Sequence, residues 1–322
     1  MPTLKEIKGR ISSVKGTLKI TAAMKLVSSA KLRKAQKATE AMRPYEAQLQ
    51  RMLTVVSGRE GDVFSGASAF FSATENTSLS AATENSSASL PTAIVAVASN
   101  SSLCGGFNAN VIAKVRSVRQ AGDVVYSVGR KMADAMRKDG FPSPEDFTAL
   151  ADHPSYSPAS ALVDRLRQDL DEGRIGRVVL VYTHFVSTAK QVPTVEELLS
   201  AYGKDAFSVA KKKADAPEKA SLSFASASPS DAPEKSPSEG PIIEPGKKEL
   251  LDILEPKVVK LKLYAALLDS AAAEHAARTV AMQTATDNGE NLLQELTLQY
   301  NKGRQQKITS EILDLAGGQS QE

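Results

Sequence analysis

Residues 246–315 read GKKELLDILEPKVVKLKLYAALLDSAAAEHAARTVAMQTATDNGENLLQELTLQYNKGRQQKITSEILDL, and their spacing decides the fold. Apolar or small residues return at alternating steps of four and three: Leu254, Val258, Leu261, Ala265, Leu268 and Ala272, then Leu293, Leu296 and Tyr300, and again Ile308, Ile312 and Leu315. That is the seam of a coiled coil. A helix of about 70 residues is on the order of 100 Å long, too long for one compact domain, so its seam requires a second helix.

The start of the chain supplies that helix. Leu4, Ile7, Ile11, Val14, Leu18, Thr21, Lys25, Ser28, Leu32, Ala35, Thr39, Met42, Glu46, Leu49, Leu53 and Val56 hold one unbroken register over roughly 80 Å. The expected fold is α/β: a long antiparallel two-helix coiled coil from the N- and C-terminal helices, plus a small Rossmann-like, mostly parallel sheet domain. The expected divisions are a coiled-coil helix over 1–56, a low-complexity insertion over 57–90, an α/β foot over 91–202, a disordered insertion over 203–245 and a coiled-coil helix over 246–322. Pro44 is expected to bend the first helix without ending it, because the register survives on both sides.

The middle alternates between strand and helix. Thr92–Ala98 reads as a buried strand, Phe107–Gln120 as a helix, Val124–Val128 as a strand and Arg130–Lys138 as a helix. Ala159–Leu170 follows as a helix and Val178–Val186 as a strand, and Val192–Leu198 suits an antiparallel edge, where Pro193 is tolerated. Alternation of this kind implies a parallel sheet. The Ser-rich stretch 57–90 and the Ala-Pro-Glu-Lys and Ser-Pro pieces of 203–241 lack any period.

Composition narrows the function. The 322 residues include no Trp and only 5% aromatic residues, which suits a Leu- and Ala-rich rod. One Cys excludes an intrachain disulfide, and with three His gives no metal set. No apolar run reaches the length of a membrane span. The sequons at Asn76, Asn85 and Asn100 fall in Ser-rich sequence and carry no further sign of secretion. The net charge of +3 hides eleven Lys or Arg against Glu6 and Glu40 before residue 44. Such a face suits an acidic partner, a solvated surface or the phosphates of a nucleic acid. Against the last, no aromatic residue precedes Tyr45 to stack on a base.

Chemistry is thinly represented. Ser102 to Phe107 follows a strand and opens a helix, where a phosphate cradle would lie, but neither G-x-G-x-x-G nor Gly-Lys-Ser/Thr is present. Cys104 has no His or acid beside it, and His153, His184 and His275 lie on three different elements.

Four stretches carry a resemblance to a known family. They are Lys19 to Lys34 (KITAAMKLVSSAKLRK), the turn Leu103 to Asn108, the run Ala273 to Arg278 with Ala281-Met282 and Ala285 to Gly289, and Leu298 to Gln305 with Ile308 to Ile312. Together they resemble the gamma subunits of F-type ATP synthases. Asn100-Ser101-Ser102 departs from the Asp-Arg-Gly usual there. The resemblance implies a central-stalk rotor, itself non-catalytic and without cofactor or metal, that transmits proton-driven rotation to a catalytic head. Implied partners are the alpha and beta subunits of that head, the smaller delta and epsilon stalk subunits, and the c-subunit ring, which supplies the contact with the membrane; nucleic acid is not among them. By motif, Met24 and Lys25 resemble the rotor position facing a beta loop, with Glu274 and Arg278 on the neighbouring helix. Arg304, Gln305 and Thr309, with Glu311 in the same motif, resemble an upper beta contact. The Ser/Ala-rich insertions point to the matrix side of a mitochondrial inner membrane, with the cytoplasmic side of a bacterial plasma membrane as the alternative.

Overall fold

The structure is a computed structural model and describes residues 3–57, 90–200 and 246–318. Of the two expected insertions, all but Ser57 and Leu90 lie outside the described residues. In chain order the elements are α1 (Leu4–Ser57), β1 (Thr92–Val97), α2 (Phe107–Val118), β2 (Val124–Val128), α3 (Arg130–Lys138), α4 (Thr148–Asp152), α5 (Tyr156–Asp171), β3 (Arg177–Phe185), β4 (Gln191–Ser200) and α6 (Lys247–Gly318).

The two terminal helices, of 54 and 72 residues, pair antiparallel. Their direction follows from contacts that climb one helix while descending the other. Leu49 packs with Leu254 and Leu261, Leu32 with Ala272 and Ala276, and Thr21 Oγ1 lies 3.0 Å from Thr286 Oγ1. On α1, every seam position from Leu4 to Leu49 is buried or half-buried. On the lower part of α6, Met282, Thr286, Gly289, Leu293, Leu296, Tyr300 and Gly303 turn inward on the same alternating steps. Each buried Leu contributes on the order of 1.5–3 kcal/mol, and a seam sums many of them. Pro44 lies inside α1, and Pro256, which the sequence reading passed over, lies inside α6.

Thr3 and Glu6 start the rod with a reciprocal cap. The Glu6 amide donates to Thr3 Oγ1 at 3.3 Å and the Thr3 amide to Glu6 Oε2 at 3.1 Å. This satisfies two amides that the first turn of a helix would otherwise leave unbonded.

The foot is a four-stranded sheet in the order β2-β1-β3-β4. Strand β1 runs parallel to β2 and β3, and β4 is antiparallel at the edge, with Pro193 opposite Thr183. The central strand TAIVAV is buried on both faces, as its unbroken apolar run requires. On one face, Val95 and Leu180 meet Leu162 and Leu166 of α5 and Leu263 and Leu267 of α6. On the other, Ile94 and Val181 meet Val111 and Val115 of α2 and Met132 and Met136 of α3. The rod is therefore a structural wall of the foot.

At Gly289 the two helices approach closely. A Cβ there would sit 2.7 Å from Leu18 Cδ2, the swinging end of a flexible side chain. Gly289→Ala should therefore leave the melting temperature of the purified chain nearly unchanged, since the shift of Leu18 offsets a gain of about 1 kcal/mol in helix propensity. Gly289→Ile, which cannot be absorbed this way, should destabilise by about 1–3 kcal/mol in the same circular-dichroism melt.

Candidate functional site

The joint between rod and foot is built on small residues. Ala272, Ala273, Ala276 and Ala277 let α6 be approached from several sides at once. Leu32 of α1 packs on Ala272 and Ala276, Cys104 and Phe107 pack on Ala273 and Ala277, and Phe185 at the end of β3 touches both groups. From Leu263 to Arg278 almost every residue of α6 is buried or half-buried, the condition of a helix enclosed all round.

The turn between β1 and α2 is tied down by its own amides. Asn108 Oδ1 accepts from the Ser99 amide at 3.0 Å, and its Nδ2 donates to Ser99 Oγ at 2.8 Å and Cys104 Sγ at 3.1 Å. Asn100 donates to the Thr148 carbonyl at 2.8 Å and to Asp152 Oδ2 at 2.7 Å, and accepts from the Arg130 amide at 2.8 Å. Asn100 thus anchors the turn to α3 and α4. Gly105 adopts a left-handed φ of +57°, and a Cβ there would lie 3.7 Å from Ala281 Cβ. The glycine-rich turn lies against α6, and Cys104 is buried as a packed small residue.

Charged groups are buried at the joint. Glu274 and Arg278, 6% and 8% exposed, pair at 2.7 Å, and Arg278 Nη2 reaches the Ser102 carbonyl at 3.4 Å. Burial pushes the Glu274 carboxyl up, and the Arg278 charge opposes the shift. His184 of β3 and Asp269 of α6 lie 2.6 Å apart, and Asp269 also accepts from the Phe185 amide at 3.2 Å. The hydrogen bond to Asp269 raises the His184 pKa, while burial raises that of Asp269. His275 is pushed down to about 4 by burial and by the Arg278 and Lys31 charges, so it is neutral at physiological pH. A lone acid in the apolar run Leu267 to Ala273 was the available sign of the Asp269 pair.

The sequence-derived contact residues separate into three places. Met24 and Lys25 are half-buried on α1, and Met24 accepts from Ser28 Oγ at 2.8 Å. Glu274 and Arg278 face the turn from inside the joint, and the α1 charge felt by Glu274 is that of Lys31. Arg304, Gln305, Thr309 and Glu311 lie about 45 Å further along α6. There α6 has passed Leu4, its α1 neighbour at Gly303, and every side chain from Arg304 to Leu313 is exposed. Ile308, Ile312 and Leu313 are 48%, 59% and 65% exposed. A shallow groove is lined by Lys302, Gln305, Gln306, Thr309, Ser310 and Leu313. Glu311 meets Lys307 at 3.6 Å in an exposed pair.

Residues 3–320 match the family described as ATP synthase. The chain is 42% identical to the ATP synthase gamma chain of Phocaeicola vulgatus over 99% of both chains, and 42% identical to that of Bacteroides thetaiotaomicron over 100% of both. It belongs to the ATP synthase gamma chains. A third gamma chain, from Flavobacterium johnsoniae, is 36% identical over 99% of this chain and 98% of its own. Among solved structures, a chain of the Euglena gracilis mitochondrial ATP synthase OSCP/F1/c-ring assembly matches with a TM-score of 0.63 at 18% identity, covering 98% of this chain and 93% of that one. A rotor chain of the same enzyme matches at 0.59 and 16%, covering 95% and 98%. These two share the fold of the gamma chain described above. The relatives named are bacterial, so the mitochondrial expectation gains no support from them, and nothing favours the nucleic-acid reading of the basic face. Among the described residues, no helix is long and apolar enough to cross a membrane.

Two consequences of the buried charges are measurable. Removing one partner of such a pair typically costs 3–5 kcal/mol, so Arg278→Leu should be strongly destabilising, whereas Glu274→Leu with Arg278→Leu should recover most of the loss in a denaturant titration. For His184 the folded pKa is raised above the ordinary 6.5. Its stabilising contribution is complete below that value and disappears as pH rises through the folded value. The raised pKa of Asp269 acts in the same direction, and the pair titrates as a unit. The melting temperature should fall as pH rises from 6.5 through the folded value of His184, and His184→Gln should flatten that fall.

Proposed function

We propose that α1 and α6 form the shaft of a rotary central stalk, with the sheet domain as its foot. This gamma chain then does no bond chemistry of its own and conveys rotation to the alpha and beta subunits, which carry the reaction. The proposed divisions are the two rod segments 1–56 and 246–322, the foot 91–202, and the intervening segments 57–90 and 203–245. The foot meets the c-subunit ring and the smaller stalk subunits, delta and epsilon. Because the relatives are bacterial gamma chains, the proposed location is the cytoplasmic side of a bacterial plasma membrane, held there through the ring.

The observation that carries this reading is the end of α6. For the 15 residues from Arg304 to Gly318 the helix continues beyond the start of α1, with apolar and polar side chains alike in the open where their placement is described. A monomer gains nothing by exposing Ile308, Ile312 and Leu313 together, whereas a tip seated in a surrounding collar buries them. Apolar contacts of this kind have few directional bonds to break on turning. A single asymmetric rod within a threefold head presents a different face to each beta subunit, so it biases three otherwise equivalent sites differently.

Charge contacts along the shaft suit the same purpose. Lys25, half-buried beside Met24, belongs to the basic face of α1, and exposed ion pairs are worth about 0–1 kcal/mol each. Contacts of that size hold register without locking rotation. Glu274 and Arg278 serve from inside, by fixing the turn through the Ser102 carbonyl, while Arg304, Gln305, Thr309 and Glu311 offer the tip's polar contacts.

Replacing Arg304 and Gln305 together by Ala should leave the folding stability of the chain within about 0.5 kcal/mol of wild type in a denaturant titration, since both are surface residues. Proton-driven ATP synthesis by membrane vesicles carrying the variant should fall several-fold. Undiminished synthesis would remove the tip from the transmission path.

A further inference from the structure

A cavity of about 180 Å³ lies where the foot meets the rod, bounded by the turn, the first part of α2, the paired ends of β3 and β4, and α6. Its apolar lining is Phe107, Pro193, Ala277, Val280 and Ala281. No charged side chain lines it, so an ionised guest would leave its charge uncompensated. For scale, a cavity of about 150 Å³ in another protein is enough to hold benzene.

One buried polar group in the wall is without a partner among the described residues. Thr183 is 2% exposed, and its Oγ1 has no hydrogen-bond partner among the described residues. Strand alternation directs it to the α2 face of the sheet, the side of its neighbour Val181, opposite Pro193 of the same lining. A buried hydroxyl left without a partner carries a desolvation penalty that a bound donor or acceptor relieves. Two further features set the polarity of that guest. Gln191 Nε2 is already committed to the Ser187 and Thr188 carbonyls, at 3.2 and 2.7 Å. The 12-residue α2 is preceded by Gly106, which offers no side-chain cap, so its amino-terminal end favours an oxygen.

We propose that this cavity is a binding site for a small uncharged ring compound bearing one oxygen-containing group, of the size and chemistry of phenol or benzamide. The ring packs among Phe107, Val280 and Ala281, and the hydroxyl or carboxamide hydrogen-bonds Thr183. Because α6 forms one wall and the foot the others, such a ligand spans the joint.

The test is saturation-transfer NMR of the assembled complex containing the full chain, with phenol, benzamide and toluene as probes. Ala281→Leu fills the cavity, and Thr183→Val removes the hydroxyl at nearly constant shape. The expected result is a signal for phenol and benzamide that Ala281→Leu abolishes, with affinity weakened about fivefold or more by Thr183→Val. Toluene should bind more weakly than phenol to the unmodified complex and should not distinguish it from Thr183→Val. Equal phenol signal from the unmodified complex and Ala281→Leu, or equal phenol affinity with and without the Thr183 hydroxyl, overturns the proposal. Thr183→Val is also expected to leave the melting temperature unchanged or raised, because it deletes an unpartnered buried polar atom, so a loss of affinity in it cannot be ascribed to unfolding.

Discussion

The seam between the two ends of the chain is the constraint on which the other features depend. Each terminal helix carries one apolar stripe too long to be covered by a compact sheet domain, and among the described residues the matching surface is the other stripe. Leu49 against Leu254, Leu32 against Ala272 and Thr21 against Thr286 fix the direction and register of the pair. The sheet domain of residues 90–200, carried between the two helices in sequence, must therefore sit beside the rod. The sheet domain does so because α6 replaces a helix it would otherwise need: Leu263 and Leu267 complete the core begun by Leu162 and Leu166.

At the joint the chain departs from a purely apolar solution. Alanines bring α6 close to its neighbours, and into that crowded space come Asp269 with His184 and Glu274 with Arg278. Buried pairs of this kind are poor sources of net stability, because desolvation offsets most of the attraction. Their value lies in direction. A Leu-for-Ala contact tolerates sliding by a fraction of a turn, whereas Asp269 bonds both the His184 ring and the Phe185 amide and permits one placement of β3 on α6. Arg278 does the same for the turn through the Ser102 carbonyl.

Much of the fold was legible because a rod advertises itself. The 3-4 register of α1 runs through Pro44, and the helix does too, while the apolar run at Thr92 is the doubly covered central strand it resembles. The edge position of β4 followed from Pro193. What stayed hidden depended on tertiary partners. The short helix Thr148–Asp152 has too few residues for any period, and its carbonyl at Thr148 is held by Asn100 from far away in sequence. Nothing in the sequence showed that Gly289 makes room for Leu18 of the other helix. Glu274 and Arg278 lie on α6, but their motif gave no sign that both side chains are buried, since a motif records identity and not which neighbour will cover it.

The rod is two helices thick from the foot to Gly303 and one helix thick beyond. Resistance to twisting rises steeply with the breadth of a shaft, so an applied couple does not distribute its strain evenly along this one. The paired length moves almost as a solid, and angular deformation gathers in the last turns. A gamma chain of this build is torsionally stiff along its paired length and compliant over its single-helix end.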